Sequence, residues 1–170
     1  MADVREFKSH LLLMGILSAR PEEEGEMEEV LQQQYGPVAM RSSRWDFTFT
    51  RYYTGEMGEE IQRYFLVFRN PVDPSRLAEI KLSSNELEGQ FSREGSRRFN
   101  IDPGLLSLER LILASAKDRG NRIPLKSGIY AEVTLLYMHG SYAPLPWSYA
   151  DYRSDECRNF FEQVRNTMLK

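Results

Sequence analysis

The feature that most constrains the fold is a short, continuous apolar run near the start of the chain. Residues Leu11–Leu17 form a run of about seven apolar residues that ends at Ser-Ala-Arg-Pro. A membrane-spanning helix needs roughly 20 such residues, and a secretory signal has a basic start and a longer apolar stretch. The run from His10 to Leu17 is therefore predicted to be a central strand that is buried on both faces.

A helix and a strand pair are predicted to follow this strand. After Pro21, apolar residues recur at helical spacing behind a run of glutamates, and Gly36-Pro37 ends the helix. Residues Trp45–Tyr53 alternate with a period of two, which indicates a strand, and Ile61–Phe68 is predicted to be its hairpin partner.

The second half of the chain continues the alternation of helices and strands. Asp73-Pro74 is a capping sequence for the next helix, because proline favours the first helical position. The remaining predicted elements are a short strand at 97–101, a third helix over Leu105–Ala116, a hairpin of Arg122–Leu125 with Ile129–Met138, and a final helix over Ser154–Leu169.

This order predicts a single α+β domain over residues 1–170, with a flexible N-terminal tail at residues 1–8. Its first part reads β-α-β-β-α-β, the order of a ferredoxin-like unit, and an extra helix, a C-terminal β-hairpin and a C-terminal helix follow. We expect the helices to lie on one side of a mostly antiparallel sheet. Pro124 is predicted to lie on an edge strand, because proline has no N–H to donate.

Composition excludes several classes of function. The net charge is −3, from 22 basic and 25 acidic residues, which argues against indiscriminate binding to nucleic acid or to anionic membranes. A single cysteine, Cys157, and two histidines, His10 and His139, exclude internal disulfides and thiolate-rich or histidine-rich metal sites. We therefore expect a soluble, cytoplasmic protein without a membrane segment.

The familiar catalytic and nucleotide-binding motifs are missing. The chain has no Gly-x-x-x-x-Gly-Lys-Ser/Thr loop, no Gly-x-Gly-x-x-Gly, no Gly-x-Ser-x-Gly and no His-Glu-x-x-His. Cys157 shares one helical face with Phe160, Phe161, Val164 and Met168. A thiol in apolar surroundings is poorly reactive, so Cys157 is predicted to be a core residue.

The first candidate site lies on the strand 129–138. One of its faces is polar at its centre, where Glu132 lies between Tyr130 and Thr134. A mid-strand glutamate is exposed, paired with a cation, or held for chemistry with a raised pKa. The last interpretation is favoured if Thr48, Thr50 and Arg63 from neighbouring strands reach the same face and form a polar floor for a ligand.

Basic and aromatic residues form two further candidate sets. Arginine suits phosphate or carboxylate, so the basic residues are a candidate anion site, with scattered surface charge as the alternative. Aromatic loops recognise bases, sugars or peptides, but they also cover the edges of cores. The basic set is Lys81, Arg97, Arg98, Lys117, Arg119 and Arg122; the aromatic set is Tyr52, Tyr53, Trp147, Tyr149 and Tyr152, with Glu56 and Asp151 in the same loops.

Carboxylates form the last set. Asp102, Glu132 and Asp151 are hard oxygen ligands and would bind Mg²⁺ if the fold brought them together, although their spacing does not require it. No residue is assigned to a metal from the sequence, and the identity of any cofactor is left open.

Several short motifs, spread over nearly the whole chain, carry a family resemblance. They are Thr50 with Tyr52-Tyr53 and Glu56-Met57-Gly58; Glu79-Ile80-Lys81 with Asn85-Glu86; Asn100 with Asp102-Pro103-Gly104; Ala114-Ser115 with Lys117; Gly128 to Thr134; and Trp147 with Tyr149 and Asp151-Tyr152. Together they resemble the bacterial domain-of-unknown-function family 4416. The chain departs from the pattern at Asn121, where the family usually has histidine, and at Ala150, where it usually has proline.

The resemblance implies a single domain and assigns no activity. Members are often labelled GTP-binding, but this chain has neither a phosphate loop nor an Asn-Lys-x-Asp guanine motif. Through the shared motifs, the resemblance also adds Asn85 and Asn100 to the residues predicted to line a site.

Three hypotheses follow for function. The first is a binding module for a nucleotide or another phosphorylated small molecule. The second is a small enzyme in which Glu132, with Asp102 or Asp151, acts as a general base or metal ligand, and the third is a protein-interaction subunit such as a homodimer. The predicted catalytic residues are Glu132 and Asp102, and the predicted ligand-binding residues are Thr50, Tyr52, Tyr53, Glu56, Lys81, Asn85, Arg98, Asn100, Lys117, Arg122, Tyr130, Thr134, Trp147, Tyr149 and Asp151.

Overall fold

The computed structural model of the protein describes residues 3–170 and contains one large antiparallel sheet with helices. The sheet has nine strands in the described part of the chain, and seven of them follow the order β2-β4-β1-β5-β6-β8-β7. The other two, β3 and β9, pair with β4 and β8. The strands are β1 (His10–Ser18), β2 (Val38–Arg41), β3 (Trp45–Asp46), β4 (Gln62–Val72), β5 (Phe99–Leu106), β6 (Arg110–Ser115), β7 (Ile123–Pro124), β8 (Tyr130–Met138) and β9 (Ser141–Pro144).

Four α-helices accompany the sheet in the described residues: α1 (Glu24–Tyr35), α2 (Thr54–Met57), α3 (Leu77–Phe91) and α4 (Asp155–Met168). Local chemistry sets their ends. Asp73 accepts a hydrogen bond from the backbone of Ser75 just before α3, and Ser154 accepts one from the backbone of Cys157 at the start of α4. Gly36 ends α1 with a φ of 89°, a conformation that glycine adopts without a steric penalty.

The helices cover both faces of the sheet. On one face, Met14 of β1 packs in a cluster with Leu31 of α1 and Ile80 of α3. On the other face, Leu13 of β1 packs in a cluster with Phe161 of α4. The prediction that the helices lie on one side is therefore wrong, because both faces of the central strand are apolar and each must be covered.

The third predicted helix, Leu105–Ala116, is also wrong. These residues form the end of β5, a short turn and β6, so that Leu105 lies opposite Ile112. The spacing of the leucines fits a helix and a strand pair equally well. Non-local pairing decides between them, because β5 pairs with β1 and β6 pairs with β8.

The predicted strand over Trp45–Tyr53 is mostly wrong as well. Only Trp45–Asp46 pairs with β4, and the chain then turns into a loop and the short helix α2. Thr50 accepts a hydrogen bond from the backbone of Tyr52, a local bond that competes with strand pairing. Strands β2 and β9 were not predicted.

The other predicted elements are confirmed. The structure has the central strand β1, the helices α1, α3 and α4, and the β7–β8 hairpin. Pro124 lies in β7, at the end of the strand order, as expected for a residue without an N–H. Of the predicted flexible tail at residues 1–8, residues 1–2 lie outside the described part of the chain and residues 3–8 carry no helix or strand.

Within residues 3–170, none of the helices combines the length and the apolar character that crossing a lipid bilayer requires.

We expect Gly104→Ala to destabilise the fold. A Cβ atom at position 104 would lie 2.9 Å from the carbonyl oxygen of Ile112 on the neighbouring strand, so the β5–β6 pair would have to separate. The predicted cost is about 1–3 kcal/mol in the free energy of unfolding by urea.

The matched control is Gly89→Ala in α3, where nothing lies within 4 Å of the added atom. That variant should be stabilised by up to about 1 kcal/mol, because alanine has the higher helix propensity. A Gly104→Ala protein as stable as the wild type would contradict the close β5–β6 approach.

Candidate functional site

The site begins at a division in the sheet between β5 and β6. These strands pair only from Gly104 to Leu106, and the first part of β5, Phe99–Pro103, has no β6 partner. Strand β6 continues instead alongside β8 as far as Ser115. Pro103 lies where the pairing stops and has no N–H to contribute to it.

Side chains from α3 bind the backbone groups that this division leaves unpaired. The Glu88 carboxylate accepts a hydrogen bond of 2.7 Å from the N–H of Ile101. The Lys81 ammonium donates one of 3.0 Å to the carbonyl oxygen of Ile101, and the Ser84 hydroxyl donates a longer one. Buried backbone groups need such partners, so α3 replaces the missing strand.

A cavity of about 720 Å³ lies beside this division. Residues of β4, β5, β6 and β8 border it, together with α3 and two loops that contain Phe49 and Tyr149. Phe49, Tyr52 and Tyr149 are exposed as well as bordering the cavity, so they lie at its opening. Its volume is within the range typical of small-molecule sites.

The cavity is more positive than the protein as a whole. Six basic side chains border it against four acidic ones, a formal excess of two positive charges, whereas the net charge of the chain is −3. Such a concentration of charge in a partly enclosed space favours anions.

Arg63 of β4 is the most unusual of these side chains. It is buried, and its Nη2 atom lies 2.8 Å from Oδ2 of Asp151. The geometry of that contact is not that of a hydrogen bond, and the Nε and Nη1 atoms of Arg63 have no hydrogen-bond partner within residues 3–170. Buried unpaired donors are costly, because nothing replaces the water that they lose.

Aromatic rings and a glycine make room for the Arg63 guanidinium. The guanidinium lies 5.4 Å from the ring centroid of Phe47, and the rings of Phe65 and Tyr152 are within 5.8 Å. A Cβ atom at Gly15 would lie 2.8 Å from the Tyr152 hydroxyl and 3.1 Å from Nη1, so glycine at this position leaves room for both groups. Burial is the largest single influence on the pKa of Arg63 and lowers it, but Asp151, Tyr152, Asp102 and Tyr53 together outweigh burial and raise the pKa above its usual value.

Asp102 and Lys81 form a second charged group beside Arg63. The Lys81 ammonium lies 3.2 Å from one oxygen of Asp102, and Asn100 donates a hydrogen bond of 2.6 Å to the other. Burial opposes the ionisation of Asp102, but Lys81 and Arg63 together hold its pKa below the usual range. Asp102 is therefore a carboxylate at neutral pH and a poor proton donor.

Glu132 and Arg122 form a third group at the β8 end of the cavity. Oε2 of Glu132 accepts hydrogen bonds from Arg122 Nε at 2.9 Å and from Asn121 at 2.8 Å. Arg122 also donates to the Tyr149 hydroxyl at 2.6 Å. Oε1 of Glu132 is buried and has no hydrogen-bond partner among the described residues.

Arg97 forms ion pairs that hold the short helix α2, which follows the loop containing Phe49. Its guanidinium forms a two-bond ion pair with Glu56 of α2, with both nitrogen–oxygen distances at 2.8 Å. It also donates to Glu88 at 3.2 Å, which links α2 to the α3 side chains. Hydrogen bonding from Arg97 lowers the pKa of Glu56.

Twelve of the residues predicted to form a site border this cavity, although their assignment to ligand binding or catalysis remains a prediction. They are Thr50, Tyr52, Tyr53, Lys81, Asn85, Asn100, Asp102, Lys117, Arg122, Glu132, Tyr149 and Asp151.

The other five predicted residues lie elsewhere. Glu56 and Arg98 border a neighbouring cavity, where Arg98 pairs with Glu23. Tyr130 pairs with Ser115 along the strand, and Thr134 is fully buried. Trp147 donates a hydrogen bond to the carbonyl oxygen of Val133 and does not border the cavity.

Sequence reasoning missed Glu88 and did not include Arg63 among the site residues. Lys81, Asn85 and Glu88 have the spacing of one helical face, and this pattern was a usable signal for Glu88. Arg63 stands beside the apolar run from Tyr64 to Phe68, and a charge next to such a run often has a specific partner.

The carboxylates do not form a metal site. Among residues 3–170 no group of three or more histidine, cysteine, aspartate or glutamate side chains is arranged to hold a metal ion. Asp102 and Asp151 each lie against a cation instead.

The sequence matches the model of a known protein family. The model of the family described as Domain of unknown function (DUF4416) matches residues 8–168. The chain belongs to this family. Searches of curated proteins and of solved structures give no significant match to the DUF4416 chain.

We expect Glu56→Gln to lower the free energy of unfolding at neutral pH. We also expect it to make that free energy depend less on pH in the acid range. The folded-state pKa of Glu56 is depressed, so its stabilisation is complete above the unfolded value near 4.5 and is lost as the pH falls through the folded value. The loss at pH 7 should be about 1 kcal/mol, since the pair is partly exposed.

The measurement is urea unfolding from pH 7 to pH 3, with Glu94→Gln at an exposed turn as the control. The Glu94→Gln protein should follow the wild-type curve. Parallel curves for Glu56→Gln and wild type below pH 4.5 would show that the Glu56–Arg97 pair does not form.

Proposed function

We propose that the protein binds a phosphorylated small molecule, best fitted by a nucleotide, in the cavity beside the β5–β6 division. The observation that carries this proposal is Arg63, whose Nε and Nη1 atoms are buried without partners at the border of the cavity. An anionic oxygen would supply the missing acceptors. The guanidinium is already desolvated and held by surrounding rings, so little reorganisation opposes binding.

Two features of the opening favour a nucleotide over free phosphate. The exposed rings of Phe49, Tyr52 and Tyr149 offer faces on which a base stacks. Lys117 lies at the same opening, with its ammonium 4.5 Å from the centroid of the Tyr52 ring, and adds a positive charge there.

The enzyme alternative rests on Glu132. A buried carboxylate oxygen without a donor is a potential proton acceptor. Against this, the other oxygen accepts hydrogen bonds from Arg122 at 2.9 Å and from Asn121 at 2.8 Å, so the carboxylate already serves as the ion-pair partner of Arg122. We therefore rank catalysis below binding.

The homodimer alternative rests on the exposed rings of Tyr52, Trp147 and Tyr149. Sedimentation at increasing concentration separates this alternative from the others, because only an interface predicts self-association. We further propose that the protein acts in the cytoplasm, where the buried thiol of Cys157 would stay reduced.

For the fold, we propose that β1, α1, β2, β4, α3 and β5 form a ferredoxin-like unit. Their order in the chain and the strand order β2-β4-β1-β5 with antiparallel neighbours support this assignment. The packing of α1 and α3 in one cluster on the same face supports it as well.

We predict that Arg63→Gln weakens the binding of nucleoside 5′-monophosphates by about 10- to 100-fold, since a charge-assisted hydrogen bond contributes about 1.5–3 kcal/mol. Titration calorimetry and the ligand-dependent rise in Tm both report this change. The wild type should bind the monophosphates at least tenfold more tightly than the matching nucleosides.

The matched control is Arg98→Gln, which removes an arginine from the neighbouring cavity. It should leave the affinity unchanged. Unaltered affinity in folded Arg63→Gln protein, or an equal loss in both variants, would reject Arg63 as the anion-binding residue. If the wild type binds neither phosphate nor nucleotides, the proposed function itself fails.

A further inference from the structure

The cavity contains an unpartnered acceptor as well as unpartnered donors. Oε1 of Glu132 is buried without a hydrogen bond, while Oε2 is held by Asn121 and Arg122. The carboxylate is therefore fixed in orientation by one oxygen, and its other oxygen is left for a donor that the described residues do not supply. A ligand that fills the cavity meets acceptor chemistry here and donor chemistry at Arg63.

Tyr149 is linked to this carboxylate through Arg122. Its hydroxyl receives a hydrogen bond of 2.6 Å from Arg122, which is also bonded to Glu132. One arginine thus fixes both the ring and the carboxylate. Two residues later in the same segment, Asp151 lies against Arg63, so this short segment joins the acceptor end of the cavity to the anion end.

We infer that the cavity takes a nucleoside monophosphate whose base carries an exocyclic amino group, and that Glu132 Oε1 accepts a hydrogen bond from that amino group. This inference rests on the proposed function and deepens it. The base stacks on Tyr149 and the phosphate reaches Arg63. An amino group projects beyond the ring and so reaches a recessed oxygen.

The chemistry of the carboxylate explains the choice among bases. The ring N–H of uracil or hypoxanthine is flanked by carbonyl oxygen, which a carboxylate repels. An unsubstituted purine has no donor at that edge and leaves Oε1 unpaired. A site with a buried polar group discriminates strongly against a ligand that lacks the complementary group.

The test compares three pairs of nucleotides that differ at the amino position: AMP with purine riboside 5′-monophosphate, CMP with UMP, and GMP with IMP. In calorimetric titrations of the wild type, the nucleotide with the amino group should bind about tenfold more tightly than its partner, or better, in at least one pair. In Glu132→Gln, where the amide donates a hydrogen bond at the position of Oε1, this preference should disappear or reverse.

A control variant and the wild-type comparison together keep the test decisive. Tyr149→Phe keeps the ring and removes the hydroxyl bonded to Arg122, and it should reduce the amino preference without abolishing phosphate binding. The wild-type comparison needs no variant, so it stands even if Glu132→Gln, which leaves Arg122 without its carboxylate, fails to fold.

The outcomes separate the two proposals. Equal affinity within all three pairs would show that water or another group satisfies Oε1, and it would overturn the inference while leaving nucleotide binding intact. A preference that persists in folded Glu132→Gln protein would also overturn it. Binding of inorganic phosphate without any nucleotide rejects the inference alone, whereas binding of neither rejects the proposed function.

Discussion

The hydrogen bonds from α3 side chains to the backbone of Ile101 are the interactions on which the rest of the structure depends. Glu88 and Lys81 satisfy the N–H and C=O groups that β6 leaves unpaired. Without them, the division between β5 and β6 would expose a buried strand edge with unsatisfied polar groups. Because α3 supplies these partners, the sheet can divide, and polar side chains from a helix and from the strands reach one common space.

The charge network of the cavity follows from that division. Lys81 pairs with Asp102 as well as binding Ile101, and Glu88 also receives a hydrogen bond from Arg97. Burial raises the pKa of Glu88, and the nearby cations oppose this effect. Most buried charges around the cavity are thus paired, as the cost of isolated charge requires. Among the described residues, Arg63, Glu132, Asp151 and Tyr152 keep buried polar atoms without hydrogen-bond partners at the cavity, and those of Arg63 and Glu132 carry the proposals for function.

The sequence indicated much of the candidate site but not its centre. Lys117, Arg122 and Glu132 could be chosen because charged residues at strand ends and in mid-strand stand out against an apolar pattern. Arg98 is likewise a basic residue that stands out in the sequence, yet it pairs with Glu23 outside the cavity. Residue type alone cannot tell these cases apart, because the direction of each side chain depends on strand register, and register depends on pairing between distant segments.

For the fold, the sequence by itself determined the elements with strong local signals. These include the apolar strand β1, the capped helices α3 and α4, and the β7–β8 hairpin with its glycine turn. Only the tertiary structure decided that residues 105–116 form strands, that α4 covers the second face, and that β5 and β6 separate at Pro103. Capping and periodicity act between residues close in sequence, whereas strand pairing and the burial of a sheet face join residues far apart, whose energies the local pattern does not contain.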